Sequence, residues 1–353
     1  MRFAIIGCGV IGTTHAETIA ALAPRASLAV VVDTVPERAE ALAAKYGVDA
    51  STSIEEVIAR TDVDAVTICT PSGAHADGAV SALDAGKHVI IEKPLDITLD
   101  AARRVLAAER RSDRTAMVVS QHRHDLASQI VHDALTAGRF GRITSGVALM
   151  PWWRSQDYYD SGGWRGTIEL DGGGALMNQG IHTIDLLTWF LGEPLEVFAY
   201  ADRLAHERIE VEDTAVATIR FAGGALGIVH GTTAAYPGLT TRVQVHGDRG
   251  SAVIDRNELA YFHATDGDGP AYAYGANGGA NDAEAVLTAA RSAPHRAGTT
   301  SHTAQFEHFL DAVAEGRPPL VTVGEAARTL ALIRGIYESA ATRRPVELKE
   351  ELG

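Results

Sequence analysis

Only two of the 353 residues are cysteines, Cys8 and Cys69, too few to staple domains of this size, so a disulfide-built fold is excluded. Reduced thiols and a cytoplasmic location are the expectation. Long apolar runs are also missing, because Asp, Arg or Gly interrupts every stretch before it reaches the roughly 18 residues that a spanning helix needs. No membrane partner is expected. Positive charge is scarce, with 31 Lys plus Arg against 45 Asp plus Glu and a formal net charge of -14. No Lys/Arg-rich run overrides that balance, so nucleic acid is not an expected partner. The apolar start at Phe3–Ile6 is shorter than a secretory core and is cut off by glycines, which makes it a buried strand and not a targeting segment.

What is present is a globular composition, 46% hydrophobic and 22% charged, on a chain long enough for two domains. Up to about Ser120, β-branched runs alternate with Ala-rich helical segments, the pattern of βαβ units on a parallel sheet. Strands are predicted at Phe3–Ile6, Leu28–Val32, Ala65–Cys69, His88–Ile91 and Met117–Val119. Continuous apolar runs such as Leu28–Val32 fit strands covered by helices on both faces. Beyond Gln121 the pattern changes to strands joined by tight turns, such as Ala222-Gly223-Gly224 and Gly247-Asp248-Arg249-Gly250. Strands are predicted there at Ile143–Met150, Glu196–Tyr200, Thr214–Phe221, Leu226–His230, Thr241–His246 and Ser251–Asp255. Two helices, His302–Glu315 and Gly324–Ala341, follow a Gly- and Ala-rich segment at Thr265–Thr300 that reads as either a mobile surface segment or a partner-contacting excursion. The fold class is α/β, with residues 1–122 as a doubly wound domain and residues 123–353 as a second, α+β domain.

Gly7-Cys8-Gly9-Val10-Ile11-Gly12 follows the first strand and opens the first helix, with Asp33 at the end of the second strand. This is the dinucleotide fingerprint in its full context. Gly7 makes the turn, Gly9 admits a pyrophosphate, Gly12 lets helix and strand pack, and Asp33 accepts from ribose hydroxyls. A carboxylate at Asp33 repels a 2′-phosphate, so NAD is preferred over NADP, although Arg38 lies close enough to temper that preference. Thr34 adjoins Asp33. Thr70, Pro71, Ser72 and His75, with Glu92-Lys93 and Gln121, sit at carboxyl ends of further strands, the edge where open α/β sheets bind ligands.

The run from Asp171 to Leu187 is a glycine-rich approach to an apolar helix carrying Asn178, His182 and Asp185 at i, i+4 and i+7, hence on one face. Met150–Gly166 holds three of the four tryptophans among Arg, Asp and Gln, the mixture that grips a polyhydroxylated ring. Trp153, Arg154, Tyr158, Trp164 and Arg165 are candidate contacts there, and Arg123 faces the same cleft. His122 and His124 alternate without a third ligand in register, so no metal is expected.

The glycine turn, Glu92-Lys93-Pro94 and the Gly172–Asp185 segment, in this order, resemble the Gfo/Idh/MocA family of NAD(P)-dependent sugar and cyclitol oxidoreductases. The resemblance implies Lys93 and His182 as catalytic residues, and a homodimer or homotetramer formed through the C-terminal sheet. It also places Asn178 where inositol dehydrogenase-like members carry Asp. An amide relays no proton, so a Lys/His dyad replaces a Lys/Asp/His triad. The expected function is transfer of a hydride between a hydroxyl-bearing carbon of a small polyhydroxylated substrate and NAD. The alternatives are a redox-neutral NAD-using glycosidase and a non-catalytic NAD- and sugar-binding regulator.

Overall fold

A computed structural model describes residues 1–265, 280–292 and 301–348. Six short strands, β1 (Arg2–Ile6), β2 (Ser27–Val32), β3 (Asp49–Ser51), β4 (Ala65–Ile68), β5 (His88–Ile91) and β6 (Ala116–Val118), form a sheet in the order β3-β2-β1-β4-β5-β6. Every pairing is parallel. The strand order reverses between β1 and β4, and that reversal opens a crevice at their carboxyl ends. All four residues of β4 are buried, as strands sandwiched between helices must be.

The helices α1 (Val10–Ala21), α2 (Pro36–Tyr46), α3 (Ile54–Ile58), α4 (His75–Asp84) and α5 (Leu99–Ser112) supply the crossovers. Pro36 opens α2, where its missing N–H costs nothing, and Gly47 closes it in the left-handed region at φ 66°. Thr98 caps α5 through its side chain.

The second sheet has eight strands in the order β13-β12-β11-β7-β10-β9-β8-β14. They are β7 (Ile143–Pro151), β8 (Pro194–Asp202), β9 (Thr214–Phe221), β10 (Leu226–Thr232), β11 (Arg242–Gly247), β12 (Gly250–Asp255), β13 (Glu258–Ala264) and β14 (Val346–Glu347). The hairpins β9/β10 and β11/β12 follow the turn signals. The β7/β10 pair is parallel, a non-local pairing that no turn motif announces. β3, β13 and β14 are too short or too irregular in alternation to be read from the sequence.

One face of this sheet is covered by α8 (Ile181–Leu191) and α11 (Val323–Thr342), which join the earlier α6 (Leu126–Thr136) and α7 (Gln156–Asp160) and the later α9 (Ala283–Arg291) and α10 (Ser301–Glu315). Gly146 permits this packing, since a Cβ there would lie 2.8 Å from a Leu191 methyl and 2.9 Å from one of Leu187. A capping box, Thr322 with Glu325, starts α11. Helix α10 returns to the first domain and sets Phe306 and Phe309 at 6.0 and 6.3 Å from the Phe3 ring. Most of the Thr265–Thr300 excursion lies outside the described residues; its described part carries α9.

Candidate active site

The nucleotide side is built by the crevice at the β1/β4 reversal. Gly7 adopts φ +100°, and a Cβ on it would lie 2.5 Å from the Cys69 carbonyl oxygen. Gly12 is packed as tightly, 2.0 Å from the Gly7 carbonyl, whereas a Cβ on Gly9 would meet nothing within 4 Å. Two glycines are therefore demanded by the protein itself and the middle one faces open space. No side chain caps the α1 N-terminus, which leaves its first N–H groups directed at an anion.

Asp33 is fixed by the Cys8 and Val35 amides, which donate to its two oxygens at 2.8 and 2.9 Å. Val10, Thr34, Pro71 and Arg38 are exposed around it, and Ile11 is half-buried. The Thr70 hydroxyl and the Gln121 carbonyl oxygen are buried without a partner, an omission that a bound polar group repairs. These features fit a dinucleotide.

Three expected cofactor contacts are corrected. Ser72 is buried beneath the loop. His75 is also buried, with its nitrogens on the Pro94 and Thr70 carbonyls at 2.6 and 2.9 Å. Glu92 turns inward, pairing one oxygen with His15 Nε2 at 3.0 Å and accepting the Lys93 amide at 3.0 Å with the other. The polar side-chain atoms of His75 and Glu92 are engaged within the protein, so these two residues shape the loops that hold a ligand. Burial opposes the charged form of His15, yet Cys69 and Glu92 outweigh it and raise its pKa to about 10.

Lys93 and His182, far apart in sequence, line one cleft together with Leu95, Ser120 and Ile181. Lys93 Nζ donates to the Asn178 carbonyl at 3.0 Å and to Asn178 Oδ1 at 3.3 Å. Asn178 Nδ2 in turn donates to Asp171 Oδ1 at 2.8 Å. Burial lowers the Lys93 pKa, against the opposing pull of Glu92 and Asp171. Burial also raises that of Asp171 to about 6. His182 is pushed well below the ordinary imidazole range, by burial first and then by the Lys93 charge. Neither of its nitrogens has a hydrogen-bond partner among the described residues; its ring meets His122 edge-on at 5.2 Å.

The segment bearing Asn178 begins as a π-helix, Ala175–Gly180, before α8. Its start is clamped by buried Glu212, which accepts from the Gly174 and Leu176 amides at 2.8 and 2.9 Å and from the Tyr337 hydroxyl at 2.9 Å. Burial raises the Glu212 pKa to about 7. Neither Glu212 nor the role of Asp171 carried a motif signal, although Asp171 stands at the head of the glycine run.

Asp185 keeps the face it was predicted to share with His182 but is not free for substrate. Asp185 borders the cleft, but both oxygens are engaged. Arg123 Nε and Nη2 bind them at 2.8 Å each, with Ser120 at 2.5 Å and Thr329 at 3.2 Å. Arg123, buried and also paired with Glu325 at 2.9 Å, is likewise no substrate contact. The cause is the buried Arg123, brought to Asp185 from another segment, not the helical angle. Trp153 is another correction: it turns outward onto Tyr236, and its neighbour Trp152 lines a second pocket, with His122, Gln179 and His182. Successive side chains of extended backbone point to opposite sides.

Arg154 and Arg165 lie against the Tyr158 ring at 5.2 and 5.0 Å, and Arg165 also covers Trp164 at 5.0 Å. Gln179 ties this group to the cleft, accepting from Arg154 at 3.0 Å and donating to Tyr158 Oη at 2.9 Å.

A glycine turn at a parallel-sheet reversal, facing a lysine from one half of the chain and an imidazole from the other, defines a two-domain, nucleotide-dependent oxidoreductase. Residues 1–120 match the oxidoreductase family with the NAD-binding Rossmann fold, and residues 128–253 match the GFO/IDH/MocA C-terminal domain. The chain belongs to the Gfo/Idh/MocA family. It is 31% identical to the inositol 2-dehydrogenase of Rhizobium meliloti over 76% of this chain and 80% of that protein. It is 28% identical to the myo-inositol 2-dehydrogenase of Thermotoga maritima over the full length of both. The crystal structure of the WlbA dehydrogenase from Bordetella pertussis, in complex with NADH and UDP-GlcNAcA, superposes with a TM-score of 0.88 at 31% identity, covering 99% of this chain and 98% of that one.

Proposed function

We propose that this protein oxidises a secondary hydroxyl of a sugar, sugar derivative or cyclitol with NAD. The observation that carries the reading is the meeting of Lys93 and His182 in one cleft. Bound NAD supplies the two-electron acceptor that alcohol oxidation requires. Gly9, Asp33, Thr70 and Gln121 would hold it. His182, kept neutral by burial and by the Lys93 charge, accepts the hydroxyl proton on a free nitrogen. Lys93, anchored on Asn178, donates a hydrogen bond to the same oxygen and stabilises its developing negative charge. A binding-only regulator needs no such pair.

In this reading residues 1–122 hold the nucleotide and residues 123–353 the substrate and the subunit contact. Cys8 and Cys69 are free, which fits a reducing cytoplasm, and no described helix is long and apolar enough to cross a membrane. The outer face of the second sheet carries Tyr200, Val216 and Ile228 exposed on neighbouring strands, which favours a homodimer or homotetramer built on that face.

The test is NADH formation against a panel of sugars, sugar acids and inositols. Lys93→Met and His182→Ala should each cut kcat by about a hundredfold or more while NADH fluorescence still reports binding. Full activity in either variant removes that residue from the mechanism.

A further inference from the structure

Arg154 and Arg165 present a charge problem. Their guanidinium groups share one aromatic ring, Tyr158, and neither forms an ion pair with a described carboxylate. Arg154 donates one hydrogen bond to the Trp153 carbonyl at 3.3 Å and one to Gln179 at 3.0 Å; Arg165 donates one to the Ser161 hydroxyl at 3.1 Å. Each guanidinium has five N–H donors, and in both residues Nε is buried with no acceptor. The nearest acidic influence on Arg165 is Asp171, whose oxygens already take the Gly166 amide and the Asn178 amide group, both at 2.8 Å.

Two guanidinium groups packed on one ring, each with a buried Nε that meets no acceptor, are unfavourable in the ligand-free protein. This chain has 45 acidic residues against 31 basic ones, so a missing counter-charge does not reflect a shortage of carboxylates. It is the arrangement of a site whose anion arrives with the ligand. Gln179 bonds Arg154 and Tyr158, is the chain neighbour of Asn178, the anchor of Lys93, and lines a pocket with His182, which links the two arginines to the proton-transfer pair.

We infer that Arg154 and Arg165 form a subsite for the carboxylate of a sugar acid, with Tyr158 as the platform that holds both. Resting on the dehydrogenase reading above, this narrows the substrate from polyhydroxylated rings in general to those carrying a carboxylate. A planar two-oxygen anion matches the fork of a guanidinium. A phosphate is less well served: the adjacent helix α7 has its N-terminus capped by Ser155 and carries Asp157 in its first turn, so no amide cradle remains for further oxygens.

The experiment compares D-glucuronate with D-glucose, D-galacturonate with D-galactose, and glucose 6-phosphate, each with saturating NAD. The acid member of a pair is expected to have kcat/KM higher by about tenfold or more. Arg154→Gln and Arg165→Gln are expected to collapse that ratio, chiefly through KM for the acid. Neutral sugars matching their acids, or variants that slow both alike, would overturn the subsite, and a preference for the phosphate would overturn its assignment to a carboxylate. Calorimetric binding of D-glucuronate to His182→Ala with NAD present separates this inference from the reading beneath it. Binding that Arg154→Gln abolishes, without turnover of any panel member by the wild type, keeps the subsite and rejects the dehydrogenase. No binding rejects the subsite.

Discussion

Lys93 Nζ donates to both the main-chain carbonyl and the side-chain oxygen of Asn178, at 3.0 and 3.3 Å. An ammonium group from the end of a parallel strand is thereby held by the opening turn of a helix in the other domain. The amide links Asp171 to Lys93: its nitrogen donates to the carboxylate and its oxygen accepts from the ammonium. Where a carboxylate would share the proton, this chain has a fixed dipole.

Asp171 supports the charged form of Lys93, which burial otherwise disfavours. Asp171→Asn removes that support and lowers the Lys93 pKa further. If the charged ammonium is the active form, the alkaline limb of the kcat/KM profile moves to lower pH, while NADH affinity is retained. A limb that stays in place, or moves upward, would remove Asp171 from the control of Lys93.

The acid limb belongs to His182, whose proton acceptor must be free. Its pKa is depressed, so activity should persist below the ordinary imidazole range of about 6.5. Lys93→Met takes away a charge that contributes to the depression and should shift this limb of the residual activity upward. Such limbs are macroscopic properties of the coupled pair.

Arg123 and Asp185 form a buried, bidentate pair that ties the turn at Gln121–His124 to α8. Arg123→Ala leaves a buried carboxylate without its partner and should cost about 3–5 kcal/mol of stability. Chemical denaturation would measure this. A loss confined to substrate KM, with stability unchanged, would return Arg123 to the substrate site.

Asp33, which the proposed function assigns to the ribose hydroxyls, has both oxygens ordered by backbone amides. Asp33→Ala is expected to raise KM for NAD and improve turnover with NADP, since removing the carboxylate removes its repulsion of a 2′-phosphate. Initial rates with both coenzymes check this. A wild type that prefers NADP would contradict the assignment.

Ile228 and Val216 are exposed on adjacent strands of the second sheet. Ile228→Glu places a charge in the centre of that face, and light scattering should then report a smaller mass than for the wild type. An unchanged mass would mean that the subunits meet elsewhere or not at all.

Much of this was legible in the residue pattern. Apolar runs such as Leu28–Val32 can only be strands covered on both faces, and the glycine turn needs its three glycines for reasons local to a few bonds. Those are short-range constraints, fixed by backbone sterics and by periodicity. Lys93 and His182 could be singled out in the residue pattern, but only the family resemblance paired them, because nothing in a sequence states which strand end meets which helix. Arg123 and Asp185 read as ligands since a charged residue near a cleft looks alike whether it faces solvent or a buried partner. Trp152 and Trp153 differ only in direction, and one step along extended backbone decides it. The amino-acid order determined the elements, the nucleotide turn and the cast of polar residues; packing between distant segments decided which charges are neutralised inside the protein and which, as at Arg154 and Arg165, have no carboxylate paired with them among the described residues.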